Sequence, residues 1–222
     1  MQTYEIRRTP RPPCGAARWN APVWQGAATA AVAEFRPEGS DHRPRTEARV
    51  LCDGGHLYGI FHVADRYVRC RHTRFLDPVC TDSCVEFFVQ PAPDRGYFNF
   101  EFNCGGAFLA SYVTDPARTP EGFREFVRLS PDDAGTLHVM SSAPPVVEPE
   151  IAVPLDWTLE FAIPFALFTK YAGCPAPCAG DEWRGNFYKC GDETSHPHWA
   201  AWAPVDELNF HLPRCFGALR FL

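Results

Sequence analysis

Basic clusters, long apolar runs and helical periodicity are all scarce in this sequence of 222 residues. Its 21 basic residues are outnumbered by 27 acidic ones, for a net charge of −6, and no basic run occurs outside the N-terminal tail. Because nucleic-acid-binding surfaces are strongly basic, we expect no nucleic-acid partner. No stretch approaches the apolar length of a membrane-spanning helix, so we expect no membrane partner. The oligomeric state stays open.

Motifs of common enzyme classes are also absent. The chain has no Gly-x-Ser-x-Gly nucleophile elbow, no His-Glu-x-x-His metal motif and no phosphate-binding glycine-rich loop. Its methionines are limited to Met1 and Met140, which restricts methionine ligation of haem, although eight histidines leave other ligation open. Motifs therefore give catalysis little support.

The N-terminus lacks the apolar core of a signal peptide, so we expect a cytoplasmic protein. In a reducing compartment, its ten cysteines are expected to be buried thiols rather than disulfides. The pairs Cys80-x-x-x-Cys84 and Cys174-x-x-x-Cys178 have a loose zinc-like spacing without companion histidines. A loop contributes four further weak metal candidates: Asp192, Glu193, His196 and His198.

What the sequence has in abundance favours a packed β-protein. It is 45% hydrophobic and 14% aromatic, and its 22 Pro and 16 Gly are scattered, as expected for short strands joined by turns. We predict an irregular N-terminal segment over residues 1–24 and one all-β domain over residues 25–222. The expected fold is an antiparallel two-sheet β-sandwich, immunoglobulin-like or jelly-roll-like, with about ten strands.

Ten segments have the pattern or composition of strands, and Pro164 begins a short predicted helix that extends to residue 170. The predicted strands cover residues 27–35, 46–52, 57–63, 82–90, 97–103, 107–113, 136–142, 157–163, 183–190 and 216–222.

The segments 82–90 and 97–103 alternate with a period of two residues, and the short turn-rich linker between them predicts an antiparallel hairpin. Pairing residue 90 with residue 97 places Glu86 opposite Glu101. The core-facing residues predicted from this hairpin and from the strand at 157–163 are Val85, Phe87, Val89, Phe98, Phe100, Phe102, Trp157, Leu159, Phe161 and Ile163.

The polar face of this hairpin is predicted to bind a ligand. Like charges directly opposed on a sheet are destabilising, whereas carboxylates, amides and a tyrosine together suit a neutral polyhydroxylated ligand or a cation. The alternative is that both glutamates are exposed and neutralised by neighbouring Lys or Arg. The candidate ligand-binding residues are Glu86, Tyr97, Asn99, Glu101, Asn186, Tyr188, Trp202, Phe210 and His211.

Two of the surrounding assignments have alternatives. Trp202 is as consistent with core packing as with sugar binding. Lys189 follows the alternating pair Asn186 and Tyr188 on the opposite, apolar side, which predicts either a side chain extending to solvent from a strand end or a β-bulge.

Several short motifs follow one another between about Thr46 and Leu222: Leu57-Tyr58, Asp82-Ser-Cys-Val-Glu86-Phe, Tyr97-Phe-Asn-Phe-Glu101-Phe-Asn103, Trp157-Thr-Leu-Glu-Phe-Ala-Ile-Pro164, Asn186-Phe-Tyr188, Trp202-Ala-Pro204, Phe210-His-Leu-Pro213 and Phe216-Gly217. In this order and spacing they resemble the family 9 carbohydrate-binding modules and their DOMON-like relatives. The resemblance implies a β-sandwich that binds sugars, usually as a module attached to a glycoside hydrolase, with bound calcium in some members. No other cofactor is expected.

The resemblance also implies residue roles. In such modules two aromatic rings sandwich a terminal sugar while polar side chains bind its hydroxyls. Glu86 matches the hydroxyl-binding glutamate, Asn99 falls where an arginine is often found, and Tyr97 falls near a glutamine. Phe210 matches one stacking position, whereas the other is Cys80, which has no aromatic face.

These observations predict a non-catalytic protein that binds a mono- or oligosaccharide. Two alternatives remain open at this stage. One is a small glycoside hydrolase that uses Glu86 and Glu101, and the other is a structural domain without a ligand.

Overall fold

The computed structural model describes residues 1–13, 15–120 and 122–222. Within them the chain forms sixteen strands and two α-helices, together with three 3-10 helices at Pro22–Gly26, Val79–Thr81 and Pro213–Cys215. The α-helices are α1 (Pro131–Ala134) and α2 (Phe165–Ala172). The strands are β1 (Thr3–Arg8), β2 (Ala30–Val32), β3 (Glu34–Phe35), β4 (Arg45–Cys52), β5 (His56–Asp65), β6 (Val68–Cys70), β7 (Cys84–Gln90), β8 (Tyr97–Asn103), β9 (Phe108–Thr119), β10 (Gly122–Arg128), β11 (His138–Ser141), β12 (Val147–Ile151), β13 (Leu155–Pro164), β14 (Glu182–Cys190), β15 (Trp199–Ala201) and β16 (Gly217–Phe221).

The strands form a sandwich of two sheets. The front sheet has the order β10-β9-β8-β7-β14-β16-β1, with β15 on β14 and β3 on β15. The back sheet has the order β1-β4-β5-β13-β11, with β2 on β4, and β6 pairs with β12 separately. Strand β1 joins both sheets because its first part pairs with β16 and its last two residues pair with β4. The predicted all-β sandwich is confirmed, with more strands than the predicted ten.

The predicted irregular N-terminal segment is wrong for Thr3–Arg8, because these residues form β1. Tyr4 and Ile6 are buried in the core, while Glu5 between them is exposed. This short alternation is hard to recognise in the sequence because Pro- and Arg-rich residues follow it directly. Its parallel pairing with β16 and β4 also departs from the predicted antiparallel arrangement.

The ten predicted core residues are all buried in the layer between the sheets. Phe161 of the back sheet stacks on Phe87 and Phe102 of the front sheet, with ring centroids 5.9 and 5.1 Å apart. Alternation places these side chains on one face of each strand, so one register buries the whole set. The inward-facing assignment is therefore confirmed.

The predicted hairpin register is also confirmed, since Glu86 pairs with Glu101 and Phe88 with Asn99. Its outer face is nevertheless covered: every residue of β7 and β8 is buried. A second apolar cluster lies on this face, where residues 205–216 fold across β7, β8 and β14. The alternation of the two strands therefore does not leave their polar face in solvent, because a segment more than 100 residues later in the chain covers it.

Lys189 follows neither of the two predicted arrangements. Lys189 pairs regularly with Val85 in the front sheet, without a bulge, and its side chain is fully buried between the sheets. The ammonium Nζ lies 3.4 Å from Asp65 Oδ2 at the end of β5 and 2.8 Å from His198 Nε2, and it donates a hydrogen bond to the carbonyl of Cys190. A buried ion pair therefore connects the front and back sheets.

The predicted helix after Pro164 is confirmed as α2. Pro164 is its N-cap, and Gly173 ends it in the left-handed conformation, a common C-terminal signal. Neither described α-helix has the length and apolar character needed to cross a membrane.

The nine cysteines of the described ranges are all unpaired, and five of them are buried; Cys14 lies outside the described residues. We expect nearly all ten thiols to react with a thiol reagent once protein prepared without air oxidation is unfolded in the presence of a chelator. Two or more protected pairs would contradict this expectation and would indicate folding in an oxidising compartment.

Candidate functional site

A cavity of about 320 Å³ opens on the outer face of the front sheet. Strands β7, β8 and β14 supply its floor, and β15 and the covering segment 205–216 supply its walls. Its lining residues are Cys80, Glu86, Glu101, Arg118, Cys190, Asp192, Trp199, Leu208, Asn209, Phe210 and His211.

Two carboxyl groups form the floor of this cavity. Glu86 and Glu101 are 3% and 7% exposed and lie directly opposite each other. Burial, together with repulsion from Glu101, raises the pKa of Glu86 well above its ordinary value. Burial also raises the pKa of Glu101 to about 7, although its carboxylate accepts a hydrogen bond from Asn99 Nδ2 at 2.7 Å. Near neutral pH the pair therefore retains a proton, so it can donate as well as accept hydrogen bonds.

These carboxyl groups have no ion-pair partner among residues 1–13, 15–120 and 122–222. The positive group that lines the cavity is Arg118, which lies at its rim over the ring of Phe123. The alternative of exposed, neutralised glutamates therefore does not hold: both are buried, and the hydrogen-bond donor described for Glu86 is the thiol of Cys190, at 3.2 Å.

Two aromatic residues contribute to the walls. The ring of Phe210 stacks on that of Tyr188, with centroids 4.1 Å apart and planes 11° apart, and the Tyr188 hydroxyl donates to the Phe210 carbonyl. Trp199 lines the cavity as well and donates its indole N–H to Asp192 at 2.8 Å. Both rings are thus fixed by neighbours before any ligand binds.

His211 lies beside Phe210 and is hydrogen-bonded through Nδ1 to the hydroxyl of Tyr97 at 2.8 Å. Burial and the nearby charge of Arg118 lower the pKa of His211 to about 3. The imidazole is therefore neutral at physiological pH, and Tyr97 holds it in place rather than lining the cavity itself.

The sequence profile of carbohydrate-binding family 9 matches residues 26–221, nearly the whole chain. The chain belongs to this family. The match agrees with the resemblance that the motifs indicate, and it covers every strand except β1 and every residue that lines the cavity.

Three solved structures share the fold of this chain. A candidate carbohydrate-binding protein from Bacteroides uniformis is 25% identical and superposes with a TM-score of 0.84, over 100% of this chain and 99% of its own. Two structures of a family 9 module from Caldicellulosiruptor kristjanssonii share the fold. The glucose complex is 10% identical and superposes with a TM-score of 0.66, over 100% of this chain and 96% of its own. The cellotriose complex is 11% identical and superposes with a TM-score of 0.63, over 99% of this chain and 93% of its own. No curated protein matches the sequence.

Of the nine predicted ligand-binding residues, four line the cavity, three contact these lining residues and two lie elsewhere. The lining residues among them are Glu86, Glu101, Phe210 and His211. Three more contact the lining residues. Asn99 donates a hydrogen bond to Glu101, Tyr97 is hydrogen-bonded to His211, and Tyr188 stacks on Phe210. The remaining two lie elsewhere: Asn186 exchanges hydrogen bonds with the backbone of Ala203, and Trp202 packs in the core against Phe187.

Trp199 is the aromatic residue that the site prediction missed. The structure reveals its position: in β15 it is followed by the small, buried Ala200, so alternation along the strand directs the two side chains to opposite faces. Trp202 comes just after β15, and its core position follows from packing rather than from pattern. Because Cys80 has no aromatic face, Trp199 is the residue on this side of the cavity that can supply one.

The four weak metal candidates do not converge on one point. Asp192 faces the cavity, Glu193 forms an ion pair at the surface, and His196 stacks on a tyrosine. His198 is buried beside Lys189, and burial together with the ammonium charge lowers its pKa to about 3. The loop therefore does not form the metal site that its composition suggested.

The calcium found in some family 9 members is not supported by a ligand set here. Within residues 1–13, 15–120 and 122–222, one group of three His, Cys, Asp or Glu side chains has its ligand atoms within 4.8 Å of one another. Two of the three are cysteines, whereas calcium takes oxygen ligands. These residues do not fit calcium, and we place no calcium site among them.

Proposed function

We propose that this protein binds a mono- or oligosaccharide non-catalytically in the cavity over β7, β8 and β14. The observation that carries the proposal is the buried pair Glu86 and Glu101, which forms no ion pair within the described part of the chain and lies beside aromatic rings. A sugar has the matching chemistry, because its hydroxyl groups donate and accept hydrogen bonds and its C–H faces pack on aromatic rings. The cavity volume falls in the range of about 300–1,000 Å³ that is usual for small-ligand sites.

Each lining residue has a role in this proposal. Glu86 and Glu101, which retain a proton between them near neutral pH, both donate hydrogen bonds to sugar hydroxyls and accept hydrogen bonds from them. Phe210 and Trp199 supply the packing surfaces. Arg118 at the open rim donates to hydroxyls that extend outwards. The glucose and cellotriose bound by the two family 9 modules make these sugars the first probes for this chain.

The test begins with a glycan array, followed by calorimetric titration of the best ligand, with glucose and cellotriose included. Glu86→Gln replaces one carboxyl group of the proton-sharing pair with an amide, whose NH2 group cannot accept a hydrogen bond. Loss of one hydrogen bond to the charged pair costs about 1.5–3 kcal/mol, so the variant should bind roughly ten- to over a hundred-fold more weakly while keeping its fold. Phe210→Ala should also weaken binding, because it removes the stacking surface. Glu182→Gln, which changes an exposed carboxylate paired with Arg220, serves as the matched control and should bind normally.

Unchanged affinity in both Glu86→Gln and Phe210→Ala would show that the sugar binds elsewhere on the sandwich. The same protein should release no reducing sugar from the array ligand. A retaining glycoside hydrolase requires a substrate between two carboxyl groups about 5 Å apart, whereas Glu86 and Glu101 project side by side from one hairpin. Reducing-sugar release that is lost in Glu86→Gln would identify a hydrolase instead.

A further inference from the structure

Two cysteines lie next to Glu86 beneath the sugar cavity. Cys84 and Cys190 are directly opposite each other on β7 and β14, on the same outer face as Glu86, and both are buried. Their two Sγ atoms and a Glu86 carboxylate oxygen lie within 4.8 Å of one another, and Cys190 Sγ is 3.2 Å from Glu86 Oε1. The three residues come from two strands separated by about 100 positions in the chain.

We propose that Cys84, Glu86 and Cys190 form a binding site for a thiophilic divalent metal ion of the zinc class. Two thiolates and one carboxylate are a ligand set that zinc uses in proteins. In a tetrahedral zinc site with bonds of about 2.3 Å to sulfur and 2.1 Å to oxygen, ligand atoms are roughly 3.5–3.8 Å apart. Since the three ligand atoms already lie within 4.8 Å of one another, closing the arrangement around an ion requires the ligand atoms to approach by at most about 1 Å, within the reach of small χ rotations.

The surrounding charge independently favours a cation. Glu101 and Asp192 line the same cavity, and the carboxylate of Glu86 is buried with a single thiol as its described donor. Asn99, which is 1% exposed, leaves its Oδ1 without a hydrogen-bond partner while its amide group binds Glu101. Among the described residues, Glu86, Glu101 and Asp192 form no ion pair, and a bound metal ion would supply a positive charge in direct contact with Glu86.

A fourth ligand is available from the cavity side. Cys80 lines the same cavity, and its backbone carbonyl lies 3.7 Å from Cys190 Sγ, although its thiol is outside the three-ligand group. In the proposal the fourth position, which faces the cavity, is taken by this thiol after a side-chain rotation or by a water molecule. By contrast, the other pair with the same spacing, Cys174 and Cys178, takes part in no three-ligand group of the described chain. The two Cys-x-x-x-Cys pairs thus have the same sequence spacing, but only the first contributes a cysteine, Cys84, to a three-ligand group of the described chain.

The inference goes beyond the proposed sugar binding but shares Glu86 with it, so the test is done without sugar. Protein reduced with a phosphine and freed of metal is titrated with Co²⁺. We expect one equivalent to bind with the near-ultraviolet charge-transfer band of about two thiolate ligands, and Zn²⁺ to displace it. Cys84→Ser and Cys190→Ser should each lower Zn²⁺ affinity at least about 100-fold, since even loss of outer-shell partners costs roughly 10–100-fold.

The matched control is Cys178→Ser, an exposed cysteine of the second pair, which should bind Co²⁺ as the parent protein does. Absence of a thiolate band in the parent protein would overturn the proposal without reference to any variant. So would a band that persists in both Cys84→Ser and Cys190→Ser, or the finding that Cys84 and Cys190 are joined as a disulfide in protein alkylated on isolation. Sugar binding with no metal binding would leave the proposed function standing and reject the metal site.

Discussion

Replacing Lys189 with Met is expected to lower the free energy of unfolding by about 3–5 kcal/mol, because it leaves the buried carboxylate of Asp65 without its cation. The ammonium and the carboxylate are 0% and 1% exposed and lie 3.4 Å apart between the sheets. Replacing both residues, as in Lys189→Met with Asp65→Leu, should recover most of this loss, since a buried ion pair and a well-packed apolar pair are often of similar stability. Urea-induced unfolding measures both differences.

The chain's other lysine supplies the control. Lys170 pairs with Asp133 at 2.7 Å but is 58% exposed, so Lys170→Met should change stability by less than about 1 kcal/mol. An equal effect of the two substitutions would contradict the assignment of Lys189 to a buried pair. The structural consequence of the pair is that it fixes β14 of the front sheet to β5 of the back sheet, directly behind the cavity.

The same pair predicts how stability depends on pH. Although burial opposes ionisation, the charge of Lys189 and a hydrogen bond from His42 lower the pKa of Asp65 below its ordinary value of 3.8. A carboxyl group whose pKa is lower in the folded state contributes stability above the unfolded value and loses it as the pH falls. Relative to the double variant, the parent protein should therefore lose stability below pH 3.8. A stability difference that does not change between pH 7 and pH 3 would contradict this.

Replacing Phe100 with Ala should also cost about 3–5 kcal/mol, because it opens a cavity in the layer between the sheets. Phe100 is 0% exposed, and its ring lies 5.9 Å from that of Phe98 and 6.4 Å from that of Phe168 in α2. The neighbouring rings belong to β8 and to α2, so they cannot close the gap together without moving the helix. Thermal or urea unfolding of the variant measures the loss.

Val127→Ala is the control for this core substitution, because Val127 is 54% exposed on the edge strand β10. Its effect should stay within about 0.5 kcal/mol. If Phe100→Ala were equally mild, the assignment of Phe98, Phe100 and Phe102 to the sandwich interior would be wrong. Since these residues alternate with Asn99 and Glu101, the register of the cavity floor would then be wrong as well.

The position of the site explains why its polar residues are buried. In a simple sandwich the outer face of β7 and β8 would be in water, and Glu86 and Glu101 would have ordinary pKa values. Here residues 205–216 fold across that face and bury it with Val205, Leu212 and Phe216. This burial raises the pKa of both carboxyl groups, and the same segment contains Phe210, whose ring stacks on Tyr188. One segment therefore creates both the electrostatic and the aromatic character of the cavity.

The sequence by itself determined the strands that alternate and the pairs within one hairpin. The face of each residue in β7 and β8 follows from its parity, and a six-residue linker leaves few alternative registers. For this reason the core residues, the opposition of Glu86 and Glu101 and the sandwich class were all predictable. The order of the motifs further along the chain also indicated the family.

Tertiary structure alone decided the features that join distant segments. Lys189 and Asp65 lie on different sheets, Cys84 and Cys190 are 106 positions apart, and Trp199 rather than Trp202 reaches the cavity because of how β15 packs on β14. Local alternation tells which face a side chain occupies but not what will cover that face or which charge will lie across the core. The burial of the site, and with it the chemistry of its carboxyl and thiol groups, therefore arises from long-range packing.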